Sequence, residues 1–202
     1  MSITFTYLAL GDSYTIGEGV PLYESFPYQT VQMLRKAGYL FHAPEIIART
    51  GWTTDELQQG IDNTILQPAY DLVSLLIGVN NQYRGRSTAE YQQQFEALLQ
   101  HAIVFAGNNV KRVVVLSIPD WGVTPFAKDR DIVAIAREID DYNAINKNIA
   151  SAYGVSYIDI TPGTREAASD TGLLASDGLH PSGREYTRWA SSVASEIISK
   201  IK

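Results

Sequence analysis

Strand signals and helix signals take turns five times along the chain, which predicts an α/β fold with a five-stranded parallel sheet and helices on both faces. Two further observations point the same way. Val113-Val114-Val115-Leu116 is a continuous apolar run, the pattern of a strand buried on both faces. The chain has 202 residues, 45% hydrophobic and 19% charged, enough to build one core, so residues 1–202 are expected to form a single domain.

The elements follow in order. Ile3 to Leu10 alternates, then turns continuously apolar and stops at Gly11, as a central strand would. A helix is expected over Ser25 to Ala37, with Pro27 in its first turn and Gly38 past its end. Glu45 to Ala48 is a short second strand ending near Gly51. Thr53-Thr54-Asp55-Glu56 then supplies capping groups for a helix over Asp55 to Leu66. Asp71 to Ile77 is the third strand, closed by Gly78. Phe95, Leu98, Leu99, Ala102 and Ile103 recur at helical spacing within Thr88 to Phe105. Lys111 to Ser117 is the fourth strand. A loop from Ile118 to Lys128, carrying Pro119 and Pro125, leads into a helix over Asp129 to Tyr153. Val155 to Ile160 is the fifth strand, and the last helix spans Ser182 to Ile201.

Composition excludes several functions. The formal net charge is −6 without a lysine or arginine cluster, which argues against a nucleic-acid partner. There is no cysteine, hence no disulfide, thiolate nucleophile or thiolate metal site. The three histidines are scattered without ligand-like spacing, so no metal and no cofactor is expected. No apolar stretch has the length of a membrane span. Met1 to Leu10 lacks a basic residue before its apolar run and does not read as a secretory signal, giving a cytoplasmic expectation.

In a parallel sheet, functional groups gather outside the carboxyl ends of the strands. Ser13 follows the first strand, Gly51 the second and Asn80 the third, while Asp177 and His180 lie in the segment after the fifth. His42 precedes the second strand, on the opposite edge, and His101 sits in a helical pattern. Only His180 suits a base beside Ser13, with Asp177 close enough along a tight turn to accept a bond from its Nδ1 proton. By composition alone Gly51 serves equally as a turn glycine, Asn81 equally as a donor in place of Asn80, and Asp12 shapes the turn through neighbouring backbone N–H groups.

Gly11-Asp12-Ser13-Tyr14 after a strand, Gly51 after the second, Gly78-Val79-Asn80 after the third and Asp177-Gly178-Leu179-His180-Pro181 near the end resemble, in order, the four sequence blocks of the GDSL esterase/lipase family, the SGNH hydrolases. The resemblance spans almost the whole chain. It implies a flavodoxin-like three-layer fold and a metal-independent serine esterase of broad ester specificity. It also implies Ser13 as nucleophile, His180 as base and Asp177 as its orienting carboxylate. The implied oxyanion donors are the backbone N–H groups of Ser13 and Gly51 and the side-chain amide of Asn80. Family members often carry Asp after the block-three Asn, where this chain has Asn81.

The substrate is less determined. Tyr14, Tyr83, Trp121 and Phe126 lie in loops of the active edge, as pocket walls or as partly buried anchors. The Ile118–Lys128 loop is the candidate wall or lid. Small or short-chain esters are favoured, with lysophospholipids, thioesters and acetylated carbohydrates open alternatives. A non-catalytic ligand-binding domain on the same fold is the competing function. The oligomeric state is not encoded in any feature of the sequence.

Overall fold

The computed structural model describes residues 4–201, so Ile3 of the expected first strand lies outside the described residues. Five strands, β1 (Tyr7–Asp12), β2 (Glu45–Arg49), β3 (Leu72–Leu76), β4 (Val113–Leu116) and β5 (Ser156–Ile158), form one sheet in the order β2-β1-β3-β4-β5. Every pairing is parallel. This order is the flavodoxin-like one. Every residue of β1, β3 and β4 is buried, and since successive strand residues face opposite sides, both faces of the sheet are covered.

The helices are α1 (Ser13–Ile16), α2 (Phe26–Lys36), α3 (Thr54–Asp62), α4 (Val79–Tyr83), α5 (Thr88–Phe105), α6 (Ile132–Ala152), α7 (Thr161–Arg165) and α8 (Gly183–Ile201). α2 packs against α8, while α5 packs against both α3 and α6, giving the two outer layers. Among the described residues, no helix is long and apolar enough to cross a membrane.

Several boundaries differ from the sequence expectation for local reasons. β1 does not stop at Gly11: Gly11 pairs with Ala48 and Leu76, and Asp12 with Arg49. The glycine is there for close approach, because a Cβ would fall 2.0 Å from Thr15 Oγ1 and 2.5 Å from the Leu76 carbonyl oxygen. α3 ends at Asp62 instead of Leu66. There the Asn63 side chain donates to the Gln59 carbonyl (2.8 Å) and the Thr64 hydroxyl to that of Gly60 (2.7 Å), competing for the last helical acceptors. α6 starts at Ile132 because Asp129 has φ of 66° and Asp131 caps the helix, accepting from the Ala134 N–H at 3.0 Å. β5 is shorter than expected because the Ile160 N–H turns to Ser117 Oγ (2.8 Å) as α7 begins. α4 and α7 are too short to leave a periodic signal.

The chain leaves β1 for β2 on one side, while β3 lies on the other, so the crevice between the ends of β1 and β3 is the topological switch point. Ser13 directly follows β1, and Asn80 lies on α4 just beyond β3.

Candidate active site

Ser13 is the first residue of α1, and Asp12 is its cap, with Oδ1 accepting from the Tyr14 N–H at 3.0 Å. This is the turn-shaping role expected for Asp12. The other oxygen, Oδ2, faces Asn80 Nδ2 at 3.4 Å, a contact the sequence did not reveal. Ser13 itself is buried, and among the described residues its hydroxyl makes no hydrogen bond.

The Asp177–His180 turn is built around one carboxylate. Asp177 Oδ1 accepts from the backbone N–H groups of Leu179 (2.9 Å) and His180 (3.0 Å), while Oδ2 lies 2.7 Å from His180 Nδ1. The Ala175 N–H donates to the His180 carbonyl (2.8 Å) and closes the turn. Burial works to raise the Asp177 pKa, but the ring and the two backbone donors outweigh it and hold the carboxyl below its ordinary value. Asp177 therefore stays ionised opposite Nδ1. The buried imidazole packs on Tyr14, ring centroids 5.0 Å apart.

Asn80 and Asn81 have different partners. Asn81 is fully buried and spent on Thr54, accepting from its N–H (3.1 Å) and donating to its hydroxyl (2.7 Å). That hydroxyl in turn donates to Gln94 Oε1. An amide at position 81 lets Thr54 Oγ1 accept from one side and donate to the other, a polarity an aspartate would reverse. Asn80 Nδ2 donates to the Trp52 carbonyl at 3.0 Å, which places it against the segment carrying Gly51. Gly51 has φ of 80°, a conformation that favours glycine, and its carbonyl accepts from Arg84 Nη2 at 2.6 Å.

Ser13, Asn80 and His180 line one cleft of about 90 Å³, together with Tyr14, Tyr83, Trp121 and Phe126. Residues from opposite ends of the chain thus share a surface. Val79 and Leu179 complete the lining; as apolar residues beside the motif positions they carried no chemical signal. Asp177 reaches the cleft only through His180, and Gly51 is not among its lining residues.

The sequence profile of the GDSL-like Lipase/Acylhydrolase family matches residues 9–188, from within β1 to within α8. The chain belongs to this GDSL-like family. Comparison with curated proteins gives no match. Among solved structures, the fold is similar to that of the lipase/acylhydrolase from Enterococcus faecalis, with a TM-score of 0.76 at 18% identity over 97% of this chain and 96% of that one. It is also similar to the acetylxylan esterase Axe2 from Geobacillus stearothermophilus, with a TM-score of 0.74 at 19% identity over 98% of this chain and 96% of that one. TesA gives a TM-score of 0.73 at 20% identity over 95% of this chain and 97% of its own. At these identities the likeness is one of fold.

The aromatic residues of the GDSL-like cleft divide by burial. Trp121 is 5% exposed, whereas Tyr83 and Phe126 are 45% and 48% exposed and form the rim. The Ile118–Lys128 segment is a pinned wall. Its Ile118 N–H donates to Asn143 Oδ1 (2.8 Å), its Asp120 N–H to Thr164 Oγ1 (3.1 Å), and the buried Asp120 carboxylate pairs with Arg165 at 2.8 Å. Two single turns of 3-10 helix, Trp121–Val123 and Pro125–Ala127, replace the irregular loop that was expected.

Burial is the main cause that pushes the Asp12 carboxyl up to about 7, against the opposing bonds from the Tyr14 N–H and Asn80. The unfolded chain loses this proton near the ordinary value of 3.8, the folded one only near 7, so between those values the folded state binds the extra proton and stability falls as pH rises. Asp12→Asn is therefore expected to gain stability relative to the parent from pH 4 towards pH 7. Denaturation midpoints across that window check it; a constant difference between the two proteins would refute it.

Proposed function

We propose that this GDSL-family chain is a serine carboxylic-ester hydrolase acting on small or short-chain acyl esters through an acyl-Ser13 intermediate. The observation that carries the reading is Asp177 Oδ2 held 2.7 Å from His180 Nδ1 while the same imidazole borders the cleft that contains Ser13 and Asn80. With Nδ1 occupied, Nε2 is the nitrogen that takes the Ser13 proton as Oγ attacks the ester carbonyl carbon. The negative charge moves to the carbonyl oxygen, where the Ser13 N–H and Asn80 Nδ2, both on the cleft wall, receive it, with the Gly51 N–H proposed as a third donor from the adjoining segment. The imidazolium then gives its proton to the departing alcohol. Water, deprotonated by His180, cleaves the acyl-serine and restores the hydroxyl.

Asn80 suits its part because one amide hydrogen is held by the Trp52 carbonyl while the other makes only the 3.4 Å contact to Asp12, which a developing oxyanion displaces. Asn80→Ala is expected to lower kcat by about 10²- to 10³-fold with a small change in KM, since the donor acts on charge formed in the transition state. A rise in KM of that size with kcat unchanged would assign Asn80 to ground-state binding. The free space inside the cleft, about 90 Å³, is small for a ligand pocket and favours small acyl groups. That preference accords with the acetyl ester named for the Geobacillus stearothermophilus fold relative.

A fluorophosphonate probe tests the reading. The protein is expected to gain a single adduct on the peptide containing Ser13. Its failure to react, with the fold intact, would favour a non-catalytic ligand-binding domain.

A further inference from the structure

The Gly51 N–H belongs to a tight turn in which the Trp52 N–H donates to the Arg49 carbonyl at 3.2 Å. Gly51 has φ of 80° there, and glycine takes either sign of φ about equally well, so its contacts choose the sign and with it the direction of the N–H. Packing does not choose it. Apart from chain neighbours and among the described residues, a Cβ built on Gly51 would come within 4 Å of Arg84 Nη2 alone, at 3.7 Å.

Side-chain hydrogen bonds hold the turn instead. The short helix α4 and its cap supply two of them to successive carbonyls: Asn80 Nδ2 donates to Trp52 at 3.0 Å, and Arg84 Nη2 to Gly51 at 2.6 Å. The two residues stand one helical turn apart, the Arg84 N–H donating to the Asn80 carbonyl at 3.0 Å. Arg84 Nη1 also pairs with Glu56 Oε2 at 3.2 Å, and the same oxygen accepts from the Thr53 N–H (2.9 Å) where α3 begins. The guanidinium therefore spans from Gly51 to the cap of α3, a reach that its rigid fork of donors allows. On the preceding side, the Thr50 hydroxyl donates to Glu18.

Building on the ester-hydrolase reading and on Gly51 as an oxyanion donor, we propose that Arg84 is a positioning residue that holds the Gly51 N–H towards the oxyanion by fixing the carbonyl that follows it. Arg84 is not among the residues lining the cleft, so it acts through Gly51 and not on the substrate. Without it the turn samples the opposite sign of φ, and only part of the population presents the third donor. The Arg84–Glu56 pair is 41% and 36% exposed, and such pairs add little to stability, so the loss falls on rate and not on folding.

The test is kcat and KM for p-nitrophenyl acetate, the rate of fluorophosphonate labelling and a thermal melt in the parent, Arg84→Met, Arg84→Lys, Gly51→Ala and the double variant Arg84→Met/Gly51→Ala. Arg84→Met keeps the apolar stem and loses every donor; it is expected to lower kcat and the labelling rate by about 5- to 30-fold, less than full loss of an oxyanion donor, with KM within about twofold of the parent. Arg84→Lys, which keeps one donor, is expected to recover part of that loss. In the Gly51→Ala background, where the positive φ is already disfavoured, Arg84→Met is expected to cost less than about twofold, because both changes act through one N–H. Should Gly51→Ala not fold, the split between kcat and KM and the recovery by lysine decide the matter. An Arg84→Met protein with unchanged kcat, whatever its melting temperature, or with the same loss in both backgrounds, would overturn the positioning role while labelling at Ser13 leaves the hydrolase standing. A parent that does not label at Ser13 would overturn both.

Discussion

Ser13→Ala is expected to abolish hydrolysis of a short-chain aryl ester, by a factor on the order of 10⁴ to 10⁶, while leaving the fold in place. The two effects separate because the Ser13 hydroxyl makes no hydrogen bond among the described residues, so its removal leaves no partner unsatisfied. The cap that organises the turn belongs to Asp12 and the Tyr14 N–H, and the alanine keeps both. Stability is therefore expected to stay within about 1 kcal/mol of the parent. Turnover and a thermal melt on the same preparation decide the matter. Undiminished turnover would remove Ser13 from the chemistry, and an unfolded variant would show that the hydroxyl has a structural role instead.

Asp177→Asn is expected to cost on the order of 10³- to 10⁴-fold in kcat, somewhat less than loss of the nucleophile. The amide oxygen can still accept the Leu179 and His180 N–H groups now bound by Oδ1, so the turn survives. The amide nitrogen then faces Nδ1 and donates to it, which forces the ring proton onto Nε2. A ring protonated there cannot take the Ser13 proton. Asp177→Ala removes the turn's anchor as well and should lower both rate and stability, whereas the asparagine variant lowers the rate alone. Equal activity in parent and Asp177→Asn would refute the orienting role.

Much of this was legible in the sequence because it rests on local chemistry. The β1 run, the Asp177–His180 spacing and the placement of the other histidines needed only short-range patterns, and His42 and His101 are indeed exposed. What escaped depends on distant partners. The family resemblance pointed to Asn80, but composition alone left Asn81 open, because the group that occupies Asn81, Thr54, is 27 residues upstream. The wall at Ile118–Lys128 looked like a loop because the groups that pin it, Asn143, Thr164 and Arg165, come from α6 and α7. Gly11 read as a strand stop because glycine usually breaks strands; here it admits α1 against the end of β1. The link from Arg84 to Gly51 spans 33 residues and has no motif.

The packing of α2 on α8 closes the chain's beginning onto its end. On the proposed assignment, a nascent polypeptide presents Ser13 long before His180 has been synthesised, and a truncated product that ends upstream of residue 177 is expected to be hydrolytically silent.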